Sequence, residues 1–430
     1  YSSSGMHNTL YDAYWGDVVL KKAVVFNIGC KVNQYECDVI CQELIKRGYS
    51  VKNHLEFADL YIINTCAVTN EAEKKSRQAI ARCRKQNKSA KIIMCGCACQ
   101  KSAQDFIKDN VVFVSGVAGK NQVLKHIDDD MASVNIAPIP RHFEDTTLAL
   151  PNRTRAYIKI QDGCNNFCSY CIIPYLRGRS RSRNIDDVVK EAMLLSHKTK
   201  EIVITGINLK QYGEDIGVTL TDLILRLKEL DVRIRLGSFY VEAINKPLLD
   251  ALFSLKNFCP HFHLSLQSGS DAVLKSMNRK YTTSQYLEKI ELIRKYDKNA
   301  SITTDIIVGY PTETESCFDK TLDFVKKVAF SDIHIFPFSA RKGTKAEKLT
   351  KLPKEIISLR KEKLTAEKLR ARKEYLQKNI GIIQNVLFEE KDGEYSVGYS
   401  ERYIRVYQKT DLELNKVLPT ALYKDGLKGE

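Results

Sequence analysis

The sequence has no apolar run of membrane-spanning length. Its apolar runs, such as Val24-Val25-Phe26 and Ile202-Val203-Ile204, fall far short of the ~20 residues that a transmembrane helix needs. No membrane partner is expected. The N-terminal stretch also lacks the basic start and apolar core of a secretion signal. The 13 cysteines are therefore expected in a reducing cytoplasm, where metal binding accounts for them better than disulfides do. Tyr1 to Met6 reads as an added tag, and residues 1–20 as a tail outside the fold. A hydrophobic content of 43% supports ordinary cores, and 430 residues imply two or three domains. The formal net charge of +15 and pI of about 9.1 favour a polyanionic partner, most simply nucleic acid.

What the chain has is a dense group of cysteines. Cys164, Cys168 and Cys171 are spaced C-x3-C-x2-C. A zinc site would bring a second Cys or His pair close by, and none follows. Three thiolates suit a 4Fe-4S cluster whose fourth iron stays open for a ligand that is not protein. The spacing, with Tyr170 before the third cysteine, resembles the radical-SAM signature, in which that iron holds the amino acid end of S-adenosylmethionine.

Residues 22–130 alternate between strand and helix. Strand-length runs lie at Lys22–Ile28, Leu60–Asn64, Lys91–Met94 and Val111–Val114. Helical patterns lie at Val32–Arg47, Asn70–Lys85, Gln100–Lys108 and Lys120–Asp128. This implies a parallel sheet covered by helices. Cys30 and Cys66 follow the first two strands, and Cys95, Cys97 and Cys99 cluster at the third. The carboxyl ends of an open parallel sheet share one edge, so three of these thiols are expected to form a second cluster site. If the third segment stays extended, Cys95, Cys97 and Cys99 share a face and alternation cannot choose among them. Cys37, Cys41, Cys83, Cys259 and Cys317 read as packing residues.

Periodicity fades over 136–152, around Pro138, Pro140 and Pro151, as in a linker. Six β/α units follow within 153–372, with strands at Ala156–Gln161, Glu201–Thr205, Val232–Leu236, His261–Leu266, Ser301–Val308 and Asp332–Phe336. Six units are too few for an eight-stranded barrel and suit a partial (β/α)6 barrel open on one side. Chemistry is expected at the strand carboxyl ends. There Gly206, Asn208, Ser238, Gln267 and Asp305 are candidate contacts for S-adenosylmethionine. Arg177, Arg179, Arg181 and Arg183 are candidate forks for RNA phosphates. Lys354–Ile380 forms a long basic helical pattern. Short strand patterns within 373–430, with turns at Asp392-Gly393 and Asp425-Gly426, fit a small antiparallel β-barrel of the oligonucleotide-binding type.

Gly29-Cys30-x-x-Asn33-x-Tyr35-Glu36, Asn64-Thr65-Cys66-x-Val68 and Gly96-Cys97-x-x-Gln100 resemble, in order, the N-terminal motifs of the radical-SAM methylthiotransferase family. The stretch from Leu266 to Tyr281, with Asp271, Leu274, Met277 and Arg279, resembles a further signature of it. The resemblance spans roughly 22–430, and the segment Ile172 to Arg183 is most similar to the threonylcarbamoyl-adenosine branch. It selects Cys97 as the third ligand, although Cys99 stands where the family often carries Ala. It implies an N-terminal domain at 21–135 with an auxiliary 4Fe-4S cluster on Cys30, Cys66 and Cys97. It also implies a radical-SAM core at 153–372 with a 4Fe-4S cluster on Cys164, Cys168 and Cys171, and an RNA-holding TRAM module at 373–430. The reaction implied is 2-methylthiolation of N6-threonylcarbamoyladenosine beside the anticodon of tRNA. In it, the first cluster reduces S-adenosylmethionine and the auxiliary cluster carries sulfur. The partners implied are the anticodon loop and an electron donor of flavodoxin or ferredoxin type, with the protein a monomer. The alternatives are isopentenyladenosine or a ribosomal-protein aspartate as substrate, a radical-SAM enzyme of unrelated reaction, and a non-catalytic RNA-binding iron–sulfur protein.

Overall fold

Apolar strands flanked by helices build the N-terminal part. The strands are β1 (Lys22–Asn27), β2 (Ser50–Lys52), β3 (Leu60–Thr65), β4 (Lys91–Gly96), β5 (Val111–Ser115) and β6 (Ser133–Asn135). They pair in parallel in the order β2-β1-β3-β4-β5-β6. The computed structural model describes residues 21–429 except 109, 130, 145–147, 150 and 152. The expected tail at 1–20 and the linker positions 145–147, 150 and 152 lie outside the described residues. The helices are α1 (Lys31–Lys46), α2 (Asn70–Gln86), α3 (Cys97–Lys101) and α4 (Lys120–Val123). Residues of α1 pack one sheet face with Val25, Ile62 and Ile93, and residues of α2 and α3 pack the other with Val24, Ile63 and Met94. The edge strands β2 and β6 are three residues each, too short to announce themselves as apolar runs.

Two expectations change here, and the first matters for the site. The segment after β4 does not stay extended. Gly96 takes φ +101°, and a Cβ there would lie 2.4 Å from Asn64 Oδ1, so only glycine makes this turn. Helix α3 then starts at Cys97, ahead of the helix expected at Gln100–Lys108, and a short 3-10 turn covers Ala103–Phe106. The pattern at Lys120–Asp128 is helical only to Val123.

The middle part follows the six-unit expectation. Its elements are β7 (Arg155–Asp162), α5 (Ile173–Arg177), β8 (Arg181–Ser182), α6 (Ile185–Ser196), β9 (Glu201–Gly206), α7 (Leu220–Arg226), β10 (Arg233–Leu236), α8 (Lys246–Phe253) and β11 (His261–His263). They continue with α9 (Asp271–Ser276), α10 (Thr283–Tyr296), β12 (Ser301–Val308), α11 (Glu315–Val328) and β13 (Asp332–Pro337). Strands β7, β9 and β10 pair in parallel, as do β11, β12 and β13, and the bridge Phe239↔Leu264 joins the two groups. β11 is shorter than expected because one extra residue is taken up between His263, opposite Thr303, and Gln267, which at φ +71° rejoins β12 opposite Ile306. Alternation divides the strands. Ile158, Ile160, Ile202, Ile204, Phe262 and Ile306 face the outer helices. The other face, inside the curl, carries Arg155, Lys159, Glu201, Arg235, His263 and Asp305.

The C-terminal part opens with α12 (Lys354–Lys378). It continues with β14 (Gln384–Asp392), β15 (Tyr395–Ser400), β16 (Arg405–Gln408), β17 (Leu414–Val417), β18 (Pro419–Tyr423) and β19 (Gly426–Gly429). These strands form a half-barrel in the order β17-β14-β15-β16-β19-β18, antiparallel except for the β16–β19 pair. It docks on the floor of the curl through buried charge. Glu201 is fully buried and held by Arg155 at 2.7 Å, Arg233 at 2.8 Å and Arg235 at 2.8 Å. Arg233 and Arg235 in turn donate to the carbonyls of Asn385, Tyr399, Ser400 and Glu401. Tyr403 stacks between His261 and Tyr399, its centroid 4.8 Å from each.

Burial alone would raise the Glu201 carboxyl, but the three guanidiniums override it and hold it well below the ordinary glutamate range. A depressed pKa contributes stability that is complete above the unfolded value and lost as pH falls through the folded one. Glu201→Gln leaves three buried cations without their carboxylate. It is expected to cost about 3–5 kcal/mol at neutral pH and to flatten the loss of stability below about pH 4. Thermal unfolding from pH 7 to pH 3 on both proteins checks this, with limited proteolysis following release of the C-terminal half-barrel.

Candidate active site

The C-x3-C-x2-C loop leaves the carboxyl end of β7 and is pinned on several sides. Gly163 turns it at φ +72°, where a Cβ would lie 1.9 Å from the Arg179 carbonyl oxygen. The Cys164 amide donates to the Gly178 carbonyl at 3.0 Å, and the Cys171 amide to that of Cys168 at 2.9 Å. Ser169 donates to Met277, Asn278 donates to Asn166 and Phe167, and Ala346 donates to Ser169. The three thiols lie within electrostatic reach of one another. Burial first, then Cys168, pushes the Cys171 thiol up to about 12, and burial raises Cys164 too. Asn208 Nδ2 stands 3.6 Å from Cys164 Sγ, and its Oδ1 is buried with no hydrogen-bond partner. Arg279 lies across the Tyr240 ring, 4.1 Å from its centroid, and reaches to 3.6 Å from Cys168 Sγ.

The second trio follows from sheet order. β1, β3 and β4 are consecutive neighbours, and Cys30, Cys66 and Cys97 stand just past their carboxyl ends. Burial, then Cys97, pushes the Cys66 thiol up to about 12, with Cys30 adding to the effect. Cys97 is raised by burial against the opposing pull of Arg177. The turn at Gly96 separates the three candidates for the third position. Cys95 packs toward α1 with Cys37, whereas Cys97 and Cys99 lie on the opposite sheet face. Cys99 takes a hydrogen bond from Thr65 at 3.6 Å, and Cys97 takes one from Arg177 Nε at 3.3 Å. Among the described residues, no three His, Cys, Asp or Glu converge to hold one metal ion. A four-iron cluster would bind its thiolates through separate irons, so three thiols that hold it need not converge on one ion.

Arg177 links the trios. It is 0% exposed, so every contact it makes is internal. Its Nε reaches Cys97, and one terminal nitrogen reaches Glu36 at 2.9 Å and both Asp162 oxygens at 3.1 Å. The other reaches Asn33 Oδ1 at 3.0 Å, which also accepts the Cys30 thiol at 3.4 Å. The next residue, Gly178, accepts from Cys164. Lys159 and Arg181 join at Asp162, and Lys120 stands 3.9 Å from Glu36. Burial would raise both carboxyls. The cations dominate, chiefly Arg177 at Glu36 and Lys159 at Asp162, and hold both well below the ordinary range.

The expectation that four arginines fork onto RNA phosphates is therefore corrected for three of them. Arg177 and Arg181 are buried on Glu36 and Asp162, and Arg183 is buried on Glu191. Ion pairing with internal carboxylates outcompetes solvent once the segment folds back as α5 and β8. Arg179 alone is exposed, lying over the Phe167 ring.

The five expected cofactor contacts fall into separate places. Gly206 and Asn208 sit beside the first loop, where the Asn208 amide donates to Gln161 Oε1 at 2.7 Å. Gln267 pairs with β12 just past β11. Ser238 and Asp305 line a cavity of about 750 Å3 inside the curl, bordered by α12 and the half-barrel. Burial would raise Asp305, but His263 at 3.1 Å, then His334 and Ser265, hold it below its ordinary value. Lys31, next to Cys30, lines the same cavity. Burial, with Arg235 and Arg155, lowers its ammonium to about 8. Sequence reasoning did not assign roles to Lys31, Asn33, Glu36, Tyr240 or Arg279. Asn33, Glu36 and Arg279 stood inside the quoted motifs, which offered a signal. Nothing marked Tyr240.

Residues 22–117 match the model described as Uncharacterized protein family UPF0004, and residues 158–325 match that of the Radical SAM superfamily. The chain is 40% identical over 398 residues to the threonylcarbamoyladenosine tRNA methylthiotransferase MtaB of Thermotoga maritima, covering 90% of this chain and 91% of the relative. It is 36% identical over 420 residues to the protein of that name from Bacillus subtilis, covering 93% of each. The tRNA-2-methylthio-N(6)-dimethylallyladenosine synthase of Alkaliphilus oremlandii is 34% identical over 355 residues, covering 76% of this chain and 74% of the relative. Among solved structures, the radical S-adenosylmethionine methyltransferase TsrM from Kitasatospora setae superposes with a TM-score of 0.52 at 13% identity. That match covers 74% of this chain and 75% of TsrM, and it is a likeness of fold.

The thiol environments make a direct prediction for the metal-free protein. Cys30 is exposed. A thiol near 12 holds only about one part in ten thousand as thiolate at pH 8. Iodoacetamide at pH 8 is expected to modify Cys30 at least about tenfold faster than Cys66 and Cys171, as read by peptide mass mapping over time.

Proposed function

The chain belongs to the radical-SAM methylthiotransferase family, and on that footing we propose that it adds a 2-methylthio group to N6-threonylcarbamoyladenosine in tRNA, next to the anticodon. The observation that carries this reading is the pairing of two three-cysteine sites through one buried arginine. Adenine C2–H is neither acidic nor electrophilic enough for acid–base or metal-hydroxide chemistry at neutral pH. With both 4Fe-4S clusters and S-adenosylmethionine bound, the protein holds the one-electron chemistry such a bond requires.

The residues present fit those groups. Cys164, Cys168 and Cys171 would hold the first cluster, and Cys30, Cys66 and Cys97 the auxiliary one. Arg279 and Arg177 each aim a guanidinium at one thiol of a trio, which favours the thiolate that a metal needs. The orphaned, buried Oδ1 of Asn208 is an acceptor waiting for a donor beside Cys164, and the ammonium end of S-adenosylmethionine would supply one. Gly206 leaves room there, since a Cβ would stand 3.0 Å from the Gln161 side chain. The loop's backbone bonds hold Cys164 in register with Arg177, and Arg177 holds Cys97 and Asn33. The distance between the two trios is thus fixed by the chain itself.

The division of labour proposed is auxiliary site at 21–135, linker at 136–152, radical-SAM core at 153–372 and RNA-holding module at 373–430. Arg179 is proposed to contact RNA, and a flavodoxin- or ferredoxin-type donor to supply electrons to a cytoplasmic monomer. The target base would have to leave its stack, which an anticodon-loop base does at modest cost.

Two measurements test this. Anaerobic reconstitution is expected to load about eight irons on the wild type and about four on the Cys164→Ala, Cys168→Ala, Cys171→Ala triple variant. Four on the wild type would remove the auxiliary site. Deleting the gene is expected to abolish 2-methylthio-N6-threonylcarbamoyladenosine in digests of cellular tRNA, and its persistence would remove the substrate.

A further inference from the structure

The cavity inside the curl has a composition that bears on which substituent the target adenosine carries. Strands β11, β12 and β13 contribute only polar side chains to it, among them His261, His263, Thr303 and His334. Among the described residues, aliphatic lining comes from Leu369, Leu376 and Leu422, on α12 and the half-barrel. A volume of about 750 Å3 is ample for a nucleoside with a side chain.

Each acid in this wall already has a partner. Asp305 pairs with His263 at 3.1 Å, Asp332 with Lys368 at 3.2 Å and Asp425 with Arg405 at 3.0 Å. The unbalanced charge is positive. Lys31 projects into the cavity from the first position of α1. Among the described residues, no hydrogen bond or ion pair engages its ammonium. Glu201, whose charge reaches it, is already held by Arg155, Arg233 and Arg235. Arg372, on α12 at the cavity wall, donates only to the Ser331 carbonyl at 3.5 Å. A half-buried ammonium without a counter-ion, facing a polar cavity beside Cys30, is a site for an anion.

We infer that Lys31 binds the carboxylate of the amino-acid substituent on N6 of the target adenosine, and so selects a purine bearing an acidic side chain over one bearing an apolar prenyl group. The inference rests on the methylthiotransferase reading and adds to it the group that distinguishes the two kinds of tRNA substrate. A dimethylallyl group placed here would bury hydrocarbon against histidines and hydroxyls and leave Lys31 unpaired. A carboxylate gains a charge-assisted hydrogen bond. Specificity of this kind is large because the wrong ligand leaves a buried charge unpaired.

The test compares two synthetic anticodon stem-loops, one carrying N6-threonylcarbamoyladenosine and the other its methyl ester, which keeps the shape and removes the charge. Binding to the reconstituted holoprotein is read by anisotropy in the presence of S-adenosylmethionine. The wild type is expected to bind the acid at least about tenfold more tightly than the ester. Lys31→Met should bind the two alike, and Lys31→Arg should keep the preference. Arg372→Ala should leave the acid-to-ester ratio unchanged. Equal binding of acid and ester by the wild type overturns the inference without need of any variant. So does a Lys31→Met protein that keeps the wild-type ratio. A Lys31→Met protein that weakens on both RNAs and keeps the ratio would place Lys31 on a phosphate or on the cofactor, and also overturns it. Methylthiolation of the acid stem-loop by the wild type is measured in parallel. If that fails, the functional reading falls; if it succeeds while acid and ester bind alike, only the role of Lys31 falls.

Discussion

The structure depends on one buried guanidinium. Arg177 has no solvent exposure, and leaving a cation of that size in the interior costs several kcal/mol unless charge and hydrogen bonds compensate it. The compensation comes from two directions. Asp162 ends the strand that leads into the radical-SAM loop, whereas Glu36, Asn33 and Cys97 belong to the N-terminal part. Neither side satisfies the arginine alone. The two parts can bury it only in the orientation that brings the cysteine trios together, so the geometry of the candidate site and the docking of the two parts are one constraint.

The same device recurs wherever parts of the chain meet. Glu201, with its three arginines, fastens the half-barrel to the floor of the curl. Arg341, itself buried, joins Glu73 and Asn70 of α2 to the segment after β13. Apolar contact at these seams would hold the parts without fixing their register, because hydrophobic burial is non-directional. Paired charges with fork geometry fix position and angle together. A site assembled from three strand ends of one sheet and a loop of another needs that precision, since small displacements of reacting groups are costly.

The strands and most long helices were legible because their apolar periodicity is strong. Five cysteines stood out by spacing or by position after strands, whereas Cys97 was chosen over Cys95 and Cys99 only by the family resemblance. The rest was hidden for identifiable reasons. The turn at Gly96 is a single left-handed residue inside an apolar run, and it alone decides that Cys97 parts from Cys95. The alternating arginines from 177 to 183 look in sequence like a solvated basic run. Only the fold shows that α5 and β8 turn three of them onto Glu36, Asp162 and Glu191, residues up to 141 positions away. Lys31 was invisible for the same reason. A lysine after a cysteine carries no signal until the helix it begins is seen to face a cavity built by the other two parts.

The electrostatics of the two trios lead to a last step. Burial raises the Cys66, Cys97, Cys164 and Cys171 thiols, so without metal they are held as neutral groups. The cations around them do not relax in the same way. At the auxiliary site Arg177, Lys159, Arg181 and Lys120 pair with Glu36 and Asp162, and Glu144 lines the cavity beside them. At the other, Arg279 meets tyrosines, a carbonyl and the Cys168 sulfur, with no carboxylate bonded to it among the described residues. Positive charge is in excess at both places as long as the sulfurs are protonated. On the proposed reading, iron bound at the trios would release those protons and leave each trio anionic, which would supply the charge the arginines lack. The interior is thus balanced for the loaded protein. Metal held there would couple to the stability of the seam between the first two parts, because the residue that spans the seam is also the one that touches Cys97.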